Sequence, residues 1–151
     1  MNVGIRTARR EDVPALIRLF SDDGLGGHAD TTDPSALPAY LAAFDWIDAS
    51  PNNAIYVAEY ENEVVGTFQT VCGRSLSNRG ATHLTVAAVQ TRADMRGRGI
   101  GEAMMRYAIE RGRELGAYQV KLTSNLARTD AHRFYRRLGF EQSHAGFRLV
   151  L

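Results

Sequence analysis

The segment Arg96-Gly97-Arg98-Gly99-Ile100-Gly101 carries the strongest structural signal in this sequence of 151 residues. It lies between a Thr- and Val-rich stretch typical of a strand (residues 83–91) and an apolar stripe typical of a helix (residues 100–115). Glycine allows tight turns and lets a ligand approach the backbone closely. The first N–H groups of a helix lack intrahelical partners and lie at the positive end of its dipole. The segment therefore predicts an anion site suited to phosphate.

Two common phosphate-binding patterns do not match this segment. Glu102 stands where the dinucleotide fingerprint needs its third glycine, and the Gly-Lys-Ser/Thr of a P-loop does not occur. Arg92, Arg96 and Arg98 surround the glycines with positive charge. The alternative, in which the glycines only pack a tight loop, does not account for these arginines.

Hydrophobic periodicity predicts the element order β-α-α-β-β-β-α-β-α-β in one domain covering residues 1–151. Hairpins together with crossover helices indicate a mixed sheet. Gly116 and Gly139 are placed to end two of the helices. The predicted strands cover residues 3–8, 54–60, 64–71, 83–91, 118–123 and 147–151, and the predicted helices cover about residues 11–20, 34–47, 100–115 and 131–138.

Composition excludes several classes of protein. The chain has 18 Lys and Arg residues against 17 Asp and Glu residues, for a formal net charge of +1. A single cysteine, Cys72, excludes an internal disulfide and suits a reducing, cytoplasmic environment. No apolar run approaches the roughly 20 residues of a membrane helix, and residues 1–6 lack the apolar core of a signal peptide, so no membrane association is expected.

The glycine segment and three other parts of the chain together resemble the GCN5-related N-acetyltransferase (GNAT) superfamily. Arg96, Gly99 and Gly101 match the family's acyl-coenzyme-A-binding pattern Gln/Arg-x-x-Gly-x-Gly/Ala. Residues 89–91 are similar to the family's fourth strand, residues 5–12 to its opening, and residues 131–140 to its C-terminal signature. The resemblance spans essentially the whole chain and is weakest over residues 21–50.

This resemblance implies an α/β fold with a mixed, mostly antiparallel central sheet of six to seven strands, about four flanking helices and a splay between strands 4 and 5. It also implies an N-acetyltransferase that moves acetyl from acetyl-CoA directly to a primary amine in a ternary complex, without a metal. Members of the family are often dimers, so a homodimer is compatible with it. The implied cofactor-binding residues are Val89, Gln90, Thr91, Arg96, Gly97, Arg98, Gly99, Ile100, Gly101 and Tyr135.

Acylation of an amine requires a neutral amine, a polarised carbonyl and a proton for the departing thiolate. The resemblance assigns the last role to Tyr135, as general acid, and the contact with the oxyanion to the backbone N–H of Val89. Taken alone, the spacing of Tyr135 is also typical of a core aromatic residue, but the neighbouring Phe134 already fills that role. A lysine-like amine has a pKa near 10.4, so a base or a water chain must remove its proton.

The general base is less clearly marked in the sequence. Some relatives carry a glutamate on strand 4, where this chain has Ala87 and Ala88. His83 is in register with the glutamate of the histone-acetylating branch, and an ordinary histidine pKa near 6.5 suits a base. Further candidates are Glu59 on the second predicted strand and the loop residues His28 and His144, and each of the four is also compatible with an ordinary polar surface residue.

Two positions depart from the family pattern. Arg128 stands where many relatives carry a cofactor-contacting asparagine, seven residues before Tyr135, and Asn125 lies three residues earlier. Arg128 is compatible with binding a phosphate and equally with an exposed arginine at the start of a helix. Both Asn125 and Arg128 are candidate cofactor contacts.

The charged residues are unevenly distributed along the chain. Residues 1–91 hold six arginines and 11 acidic residues, whereas residues 92–151 hold 12 basic and six acidic residues. No basic residue occurs between Arg18 and Arg74, a region that the resemblance assigns to the wall of the acceptor site. An acidic wall attracts cations, which predicts a cationic amine as the acceptor. The alternative is that these acids form an ordinary solvated surface.

Three classes of function are compatible with these patterns: an acetyltransferase, a non-catalytic acyl-CoA sensor or interaction module on the same fold, and a nucleic-acid binder. The presence of Tyr135 and of the complete glycine segment favours the first. Most of the arginines of residues 92–113 and 128–137 lie on predicted helices whose apolar faces are needed for the core, and no stacking-aromatic motif accompanies them. Nucleic acid is therefore not expected as a partner.

Overall fold

The computed structural model describes residues 1–24 and 29–151 as five strands and five helices. The strands are β1 (Gly4–Thr7), β2 (Asn53–Tyr60), β3 (Glu63–Arg74), β4 (Thr82–Thr91) and β5 (Gln119–Leu122). The helices are α1 (Val13–Ser21), α2 (Leu37–Ala49), α3 (Ser77–Gly80), α4 (Ile100–Glu114) and α5 (Thr129–Arg137). Of these helices, α3 is a single turn in which Asn78 and Arg79 have left-handed backbone angles. No helix within the described ranges has the length and hydropathy needed to cross a bilayer.

The five strands form one mixed sheet in the order β1-β2-β3-β4-β5. The first three pairs are antiparallel and the last pair, β4 with β5, is parallel, which confirms the mixed, mostly antiparallel sheet. The described residues form five strands, so the predicted six to seven strands are not confirmed. The strand expected over residues 147–151 does not form, because no neighbouring strand of the described chain lies beside it and its apolar side chains stay exposed.

Helices cover both faces of the sheet. On one face, Leu16 and Ile17 of α1 and Phe44 of α2 pack with Val57 of β2 in one buried cluster. These side chains recur at helical spacing, so α1 buries a continuous apolar stripe. On the other face, Ile100, Met104, Met105 and Ala108 of α4 form a second cluster with sheet residues that include Phe68 and Val86. Each fully buried side chain of this size contributes about 1.5–3 kcal/mol to folding.

An ion-pair cluster holds the start of the chain to the second strand. The Arg6 guanidinium donates to Asp12 Oδ2 at 2.7 Å and to Glu59 Oε2 at 2.9 Å. Asp12 is buried, and the hydrogen bonds from Arg6 hold the pKa of its carboxyl below its usual value. These contacts give residues 5–12, which resemble the opening of the family, a structural role. They also bind the carboxylate of Glu59 to Arg6.

Strand β4 is irregular at its centre. Gln69 of β3 lies opposite Ala87 and Thr67 lies opposite Gln90, so the register shifts between them. Ala88 has a φ of 51°, in the left-handed region, and marks a β-bulge. The pairing of β4 with β5 covers His83–Val86 against Gln119–Leu122, so the bulge lies beyond the last pair.

Candidate functional site

The glycine segment forms an open turn at the start of α4. Gly97 and Gly99 have φ values of 75° and 82°, in the left-handed region that side-chain-bearing residues rarely adopt. A Cβ placed on either residue meets no atom within 4 Å, so the space beside the backbone is open. Gly99 is the N-cap of α4, and the N–H groups of the first helical turn therefore lie at this open surface. The turn fits a phosphate-bearing ligand.

The third glycine has a different role. A Cβ on Gly101 would lie 3.3 Å from Cζ of Phe134, which is tighter than ordinary van der Waals contact. Gly101 therefore allows α5 to approach the first turn of α4. This contact places α5, the helix that carries Tyr135, against the first turn of α4, and it gives Gly101 a packing role in addition to any contact with a cofactor.

The three arginines near the turn are not equivalent. Arg92 donates to Asp94 at 2.7 Å and to Glu63 at 2.9 Å, so two carboxylates compensate its charge. Arg96 and Arg98 are exposed, and Nε of Arg96 reaches the carbonyl of Thr91 at 3.4 Å. The positive charge at the mouth of the turn therefore comes mainly from Arg96 and Arg98.

Tyr135 lies half-buried on α5 between two aromatic rings. Its ring centroid is 5.2 Å from that of Phe134 and 5.8 Å from that of Phe140. Burial raises the pKa of Tyr135 above its usual value near 10, and the positive charge of Arg128 opposes part of that rise. The hydroxyl is therefore protonated at neutral pH and able to donate a proton or a hydrogen bond.

A buried carboxylate connects three separate elements beside this tyrosine. Asp23, just beyond α1, is 8% exposed and accepts a hydrogen bond at 2.8 Å from Nε2 of Gln90 on β4. The same carboxylate oxygen accepts from Nη2 of Arg128, the residue at the N-cap of α5. Sequence reasoning missed Asp23, because its partners lie 67 and 105 residues away and no local pattern marks it.

Several residues predicted to contact the cofactor form hydrogen bonds within the chain near Asp23. The Gln90 side chain and the Arg128 guanidinium both bind Asp23, so Arg128 is neither a simple exposed arginine nor an unengaged phosphate ligand. Asn125 accepts a hydrogen bond from the backbone N–H of Ala127 at 2.9 Å and thereby shapes the loop before α5. Val89 follows the bulge and packs partly into the core, and Thr91 pairs with a residue of β3.

Three of the candidate bases, His83, Glu59 and His144, lie on separate parts of the described chain. His83 lies opposite Gly73, six residues before Val89, which corresponds to roughly 20 Å along a strand. Glu59, on β2, is bound by Arg6 of β1. His144 contacts the hydroxyl of Ser143 at 2.7 Å in the exposed C-terminal segment, and His28 lies outside the described residues.

The acidic region expected to wall the acceptor site is largely engaged in structural contacts. Asp45 pairs with Arg10 at 3.0 Å, and Glu59 and Glu63 pair with the arginines already described. Asp33 caps a helical turn through the N–H of Ser35, and Asp30 accepts from the hydroxyl of Tyr40 at 2.6 Å. Within residues 1–24 and 29–151, no group of His, Cys, Asp or Glu side chains could hold a metal ion.

An apolar pocket of about 110 Å³ lies between the two N-terminal helices and the sheet. Its lining includes Phe20 of α1, Tyr40 and Ile47 of α2, and Gln69 and Ala88 of the sheet. Since Ala88 is the bulge residue, this pocket reaches β4 from the side of α1 and α2, near the segment that carries Val89 and Gln90.

Comparison with known proteins relates this geometry to established relatives. The aminoalkylphosphonate N-acetyltransferase of Salmonella typhimurium is 46% identical over 57 residues, which are 38% of this chain and 37% of that protein. The chain thus matches well under two thirds of the length of that curated relative. The crystal structure of a transcriptional regulator from Bacillus halodurans is 34% identical and superposes with a TM-score of 0.96, covering 99% of this chain and 100% of that one. That alignment includes the C-terminal segment.

A predicted acetyltransferase from Clostridium acetobutylicum, whose crystal structure contains acetyl-CoA, shares the fold with a TM-score of 0.75 and 15% identity, covering 99% of this chain and 96% of that one. The model of the acetyltransferase (GNAT) family matches residues 14–140. Because that match covers most of the sequence, including the glycine turn and the helix that carries Tyr135, this chain belongs to the GNAT family of acetyltransferases.

Proposed function

We propose that this protein is an acyl-CoA-dependent N-acyltransferase that transfers acetyl directly from acetyl-CoA to a primary amine within a ternary complex. The observation that carries this proposal is the contact between Gly101 and Phe134, which sets the open glycine turn beside the helix that bears Tyr135. The turn would bind the phosphates of coenzyme A, and the tyrosine would supply the proton for the departing thiolate.

The cofactor would be held by the glycine turn. The N–H groups at residues 99–102 would bind its phosphates, and the exposed Arg96 and Arg98 beside the turn would add positive charge. When bound, acetyl-CoA supplies an acyl group activated as a thioester. Beyond the last pair of β4 with β5, at Val86 and Leu122, the strands no longer bond to each other, and we propose that this gap admits the thioester arm.

Two groups of the chain would act at the reacting centre. The backbone N–H of Val89 follows the bulge and would donate to the oxyanion as charge develops on the carbonyl oxygen. Tyr135 would donate its Oη proton to the departing sulfur. Its raised pKa keeps the proton in place until then, and the charge of Arg128 limits that rise and keeps the hydroxyl competent as an acid.

The acceptor would enter from the side of α1 and α2. Asp22 and Asp30 flank the connection between these helices, and these two acidic residues support an amine-bearing, cationic acceptor. The apolar pocket next to Ala88 would bind a hydrocarbon part of it. Since Arg6 engages Glu59 and His83 lies near the other end of β4 from Val89, we propose that water removes the proton of the amine. The name of the Salmonella relative specifies an acceptor that bears an amine and also an anionic phosphonate, so it supports the amine and not the cationic character.

The competing proposal is a non-catalytic acyl-CoA sensor. It is supported by the name of the Bacillus halodurans relative, which is called a transcriptional regulator. A thiol-release assay with acetyl-CoA and a panel of amines separates the two. The enzyme releases free thiol only when a suitable amine is present, and cationic amines are the preferred substrates. Binding of coenzyme A without thiol release across the panel supports the sensor, and a preference for acidic acceptors contradicts the cationic site.

A further inference from the structure

Arg128 carries a positive charge at a place in the fold that its own helix does not favour. It is the N-cap of α5, and a cation at the positive end of a helix dipole is destabilised. Its side chain forms no capping hydrogen bond, and the acidic residue of the first turn, Asp130, pairs with Arg133. The guanidinium of Arg128 therefore depends on a group outside α5 to hold it in place.

That group is the buried carboxylate of Asp23. Its side chain is 7% exposed, and its Oδ2 accepts from Nη2 of Arg128 and, at 2.8 Å, from Nε2 of Gln90. The backbone N–H of Asp23 donates to the carbonyl of Phe20 at 3.2 Å, so the last turn of α1 fixes the position of the carboxylate. Charge-assisted hydrogen bonds of this kind are strong, and Asp23 thus determines where the guanidinium lies.

The charge of Arg128 acts on Tyr135. Seven residues separate the two, which is close to two full turns of an α-helix, so both lie on the same face of α5. Among the described residues, Arg128 is the one charged group that shifts the pKa of Tyr135. It lowers this pKa against the larger effect of burial. Because the Arg128 side chain is largely buried, solvent screens its charge only in part.

Transfer of a proton from Tyr135 to sulfur is easier when the pKa of the tyrosine is lower. A thiol has a usual pKa near 8.5 and a tyrosine near 10, so the proton leaves the weaker acid. Burial of Tyr135 increases this mismatch. The positive charge of Arg128 decreases it, because a nearby cation stabilises the tyrosinate that remains after the transfer.

We infer that Asp23 is a positioning residue of the proposed acyl transfer. It holds Arg128 on the Tyr135 face of α5, where the guanidinium stabilises the tyrosinate that forms when Tyr135 protonates the departing sulfur. In that step the carbon–sulfur bond of the tetrahedral intermediate breaks, its electron pair goes to sulfur, and the Oη proton moves to sulfur. The surplus proton of the acylated nitrogen, carried by water, restores the hydroxyl. The inference rests on the proposed function, and it gives a role to an arginine that stands where many relatives carry an asparagine.

A fluorine NMR titration of protein labelled with 3-fluorotyrosine tests the positioning without turnover. The ring fluorine lowers the phenol pKa into an accessible range, and the Tyr135 resonance is identified by its absence in Tyr135→Phe. Arg128→Gln and Asp23→Asn are both expected to raise the Tyr135 pKa, by at least about half a unit. Asp23→Asn keeps an oxygen that can accept from Gln90, so its shift reports the loss of the charge that holds Arg128.

The sign of the shift in Asp23→Asn decides the matter. Simple removal of a negative charge near Tyr135 lowers its pKa, whereas release of Arg128 raises it. A lower or unchanged Tyr135 pKa in Asp23→Asn overturns the inference, and so does an unchanged value in Arg128→Gln. Asp45→Asn is the matched control, because Asp45 pairs with an arginine at the exposed surface, and it is expected to leave the titration unchanged.

Steady-state kinetics measures whether Asp23 acts through Tyr135. Half a pKa unit corresponds to about threefold, so Asp23→Asn is expected to lower kcat by about threefold or more at saturating acetyl-CoA and amine. The KM for acetyl-CoA is expected to stay within about twofold, because the residue does not bind the cofactor. In the Tyr135→Phe background the same substitution is expected to have almost no effect on kcat, since the acid through which it acts is gone. An equal loss of kcat in both backgrounds indicates a merely structural role and overturns the inference.

Failure of this inference and failure of the proposed function give different results. A wild-type protein that acetylates no amine of the panel contradicts the proposed function and the catalytic role of Asp23 together, and the titration still decides whether Asp23 positions Arg128. Acetyl transfer that is as fast in Asp23→Asn as in the wild type overturns the inference and leaves the proposed function intact.

Discussion

Replacing Arg128 with glutamine tests the connection between α1, β4 and α5 at Asp23. The guanidinium of Arg128 and the amide of Gln90 share one oxygen of a carboxylate whose side chain is 7% exposed, and the Arg128 side chain is itself only 28% exposed. Breaking a buried pair by removing one partner costs about 3–5 kcal/mol. Because Gln90 still donates to Asp23, we expect a smaller loss of about 2 kcal/mol in the free energy of unfolding.

For a chain of this length, 1 kcal/mol corresponds to about 2–4 °C in the melting temperature, so Arg128→Gln is expected to lower Tm by about 4–8 °C. Differential scanning calorimetry at pH 7 measures this shift. The matched control is Arg133→Gln, because Arg133 pairs with Asp130 on the exposed surface of the same helix, and such pairs contribute about 0–1 kcal/mol. A change in Tm of less than 1 °C for Arg128→Gln refutes the assignment of a stabilising buried pair.

The remaining predictions concern the proton donor, the glycine turn and the start of the chain. Tyr135→Phe is expected to lower the rate at saturating acetyl-CoA at least tenfold, because it removes the acidic hydroxyl and keeps the ring. The affinity for coenzyme A, measured by calorimetric titration, is expected to stay within twofold. An unchanged rate assigns the acid role to another group. Gly99→Val is expected to weaken coenzyme A binding at least tenfold in the same calorimetric titration, since it forces a β-branched residue to a φ of 82° and fills the open turn. An affinity equal to that of the wild type would falsify the turn as the phosphate site. Arg6 lowers the pKa of Asp12, so this pair stabilises the fold above the ordinary aspartate pKa near 3.9, and the stabilisation is lost as pH falls below that value. In urea unfolding between pH 6 and pH 3, the free energy of unfolding of Asp12→Asn is therefore expected to decrease less with falling pH than that of the wild type. An equal decrease in both proteins contradicts the pairing.

Local patterns in the sequence predict most of the helices and strands. The apolar stripe predicted α4 over residues 100–115 and the structure has it at Ile100–Glu114, with Gly116 just beyond it at a φ of 71°. β3 extends to Arg74, past the predicted end at residue 71, because Thr82 of β4 pairs with Arg74. The end of a strand depends on its partner, and the partner cannot be read from the strand's own residues.

Long-range contacts explain what the sequence did not predict. Asp23 is one of several acids in a region without basic residues, and only the fold brings it to Gln90 and Arg128. Residues 147–151 have the alternation of a strand, but the alternation alone does not specify a neighbouring edge, and the described chain provides none. His83 has the chemistry of a base, but the register of β4 places it opposite Gly73, at the other end of the strand from Val89.

The central claim is that the glycine turn and Tyr135 serve acyl transfer to an amine. The most direct measurement follows free thiol and the acetylated amine together, by thiol titration and mass spectrometry, in one reaction of the wild-type protein with acetyl-CoA and a cationic primary amine. The account predicts equal amounts of thiol and acetylated amine over many turnovers, and a rate that increases with pH as the neutral fraction of the amine increases. Saturable binding of coenzyme A with no acetylated amine, or thiol release that does not depend on the amine, would contradict it.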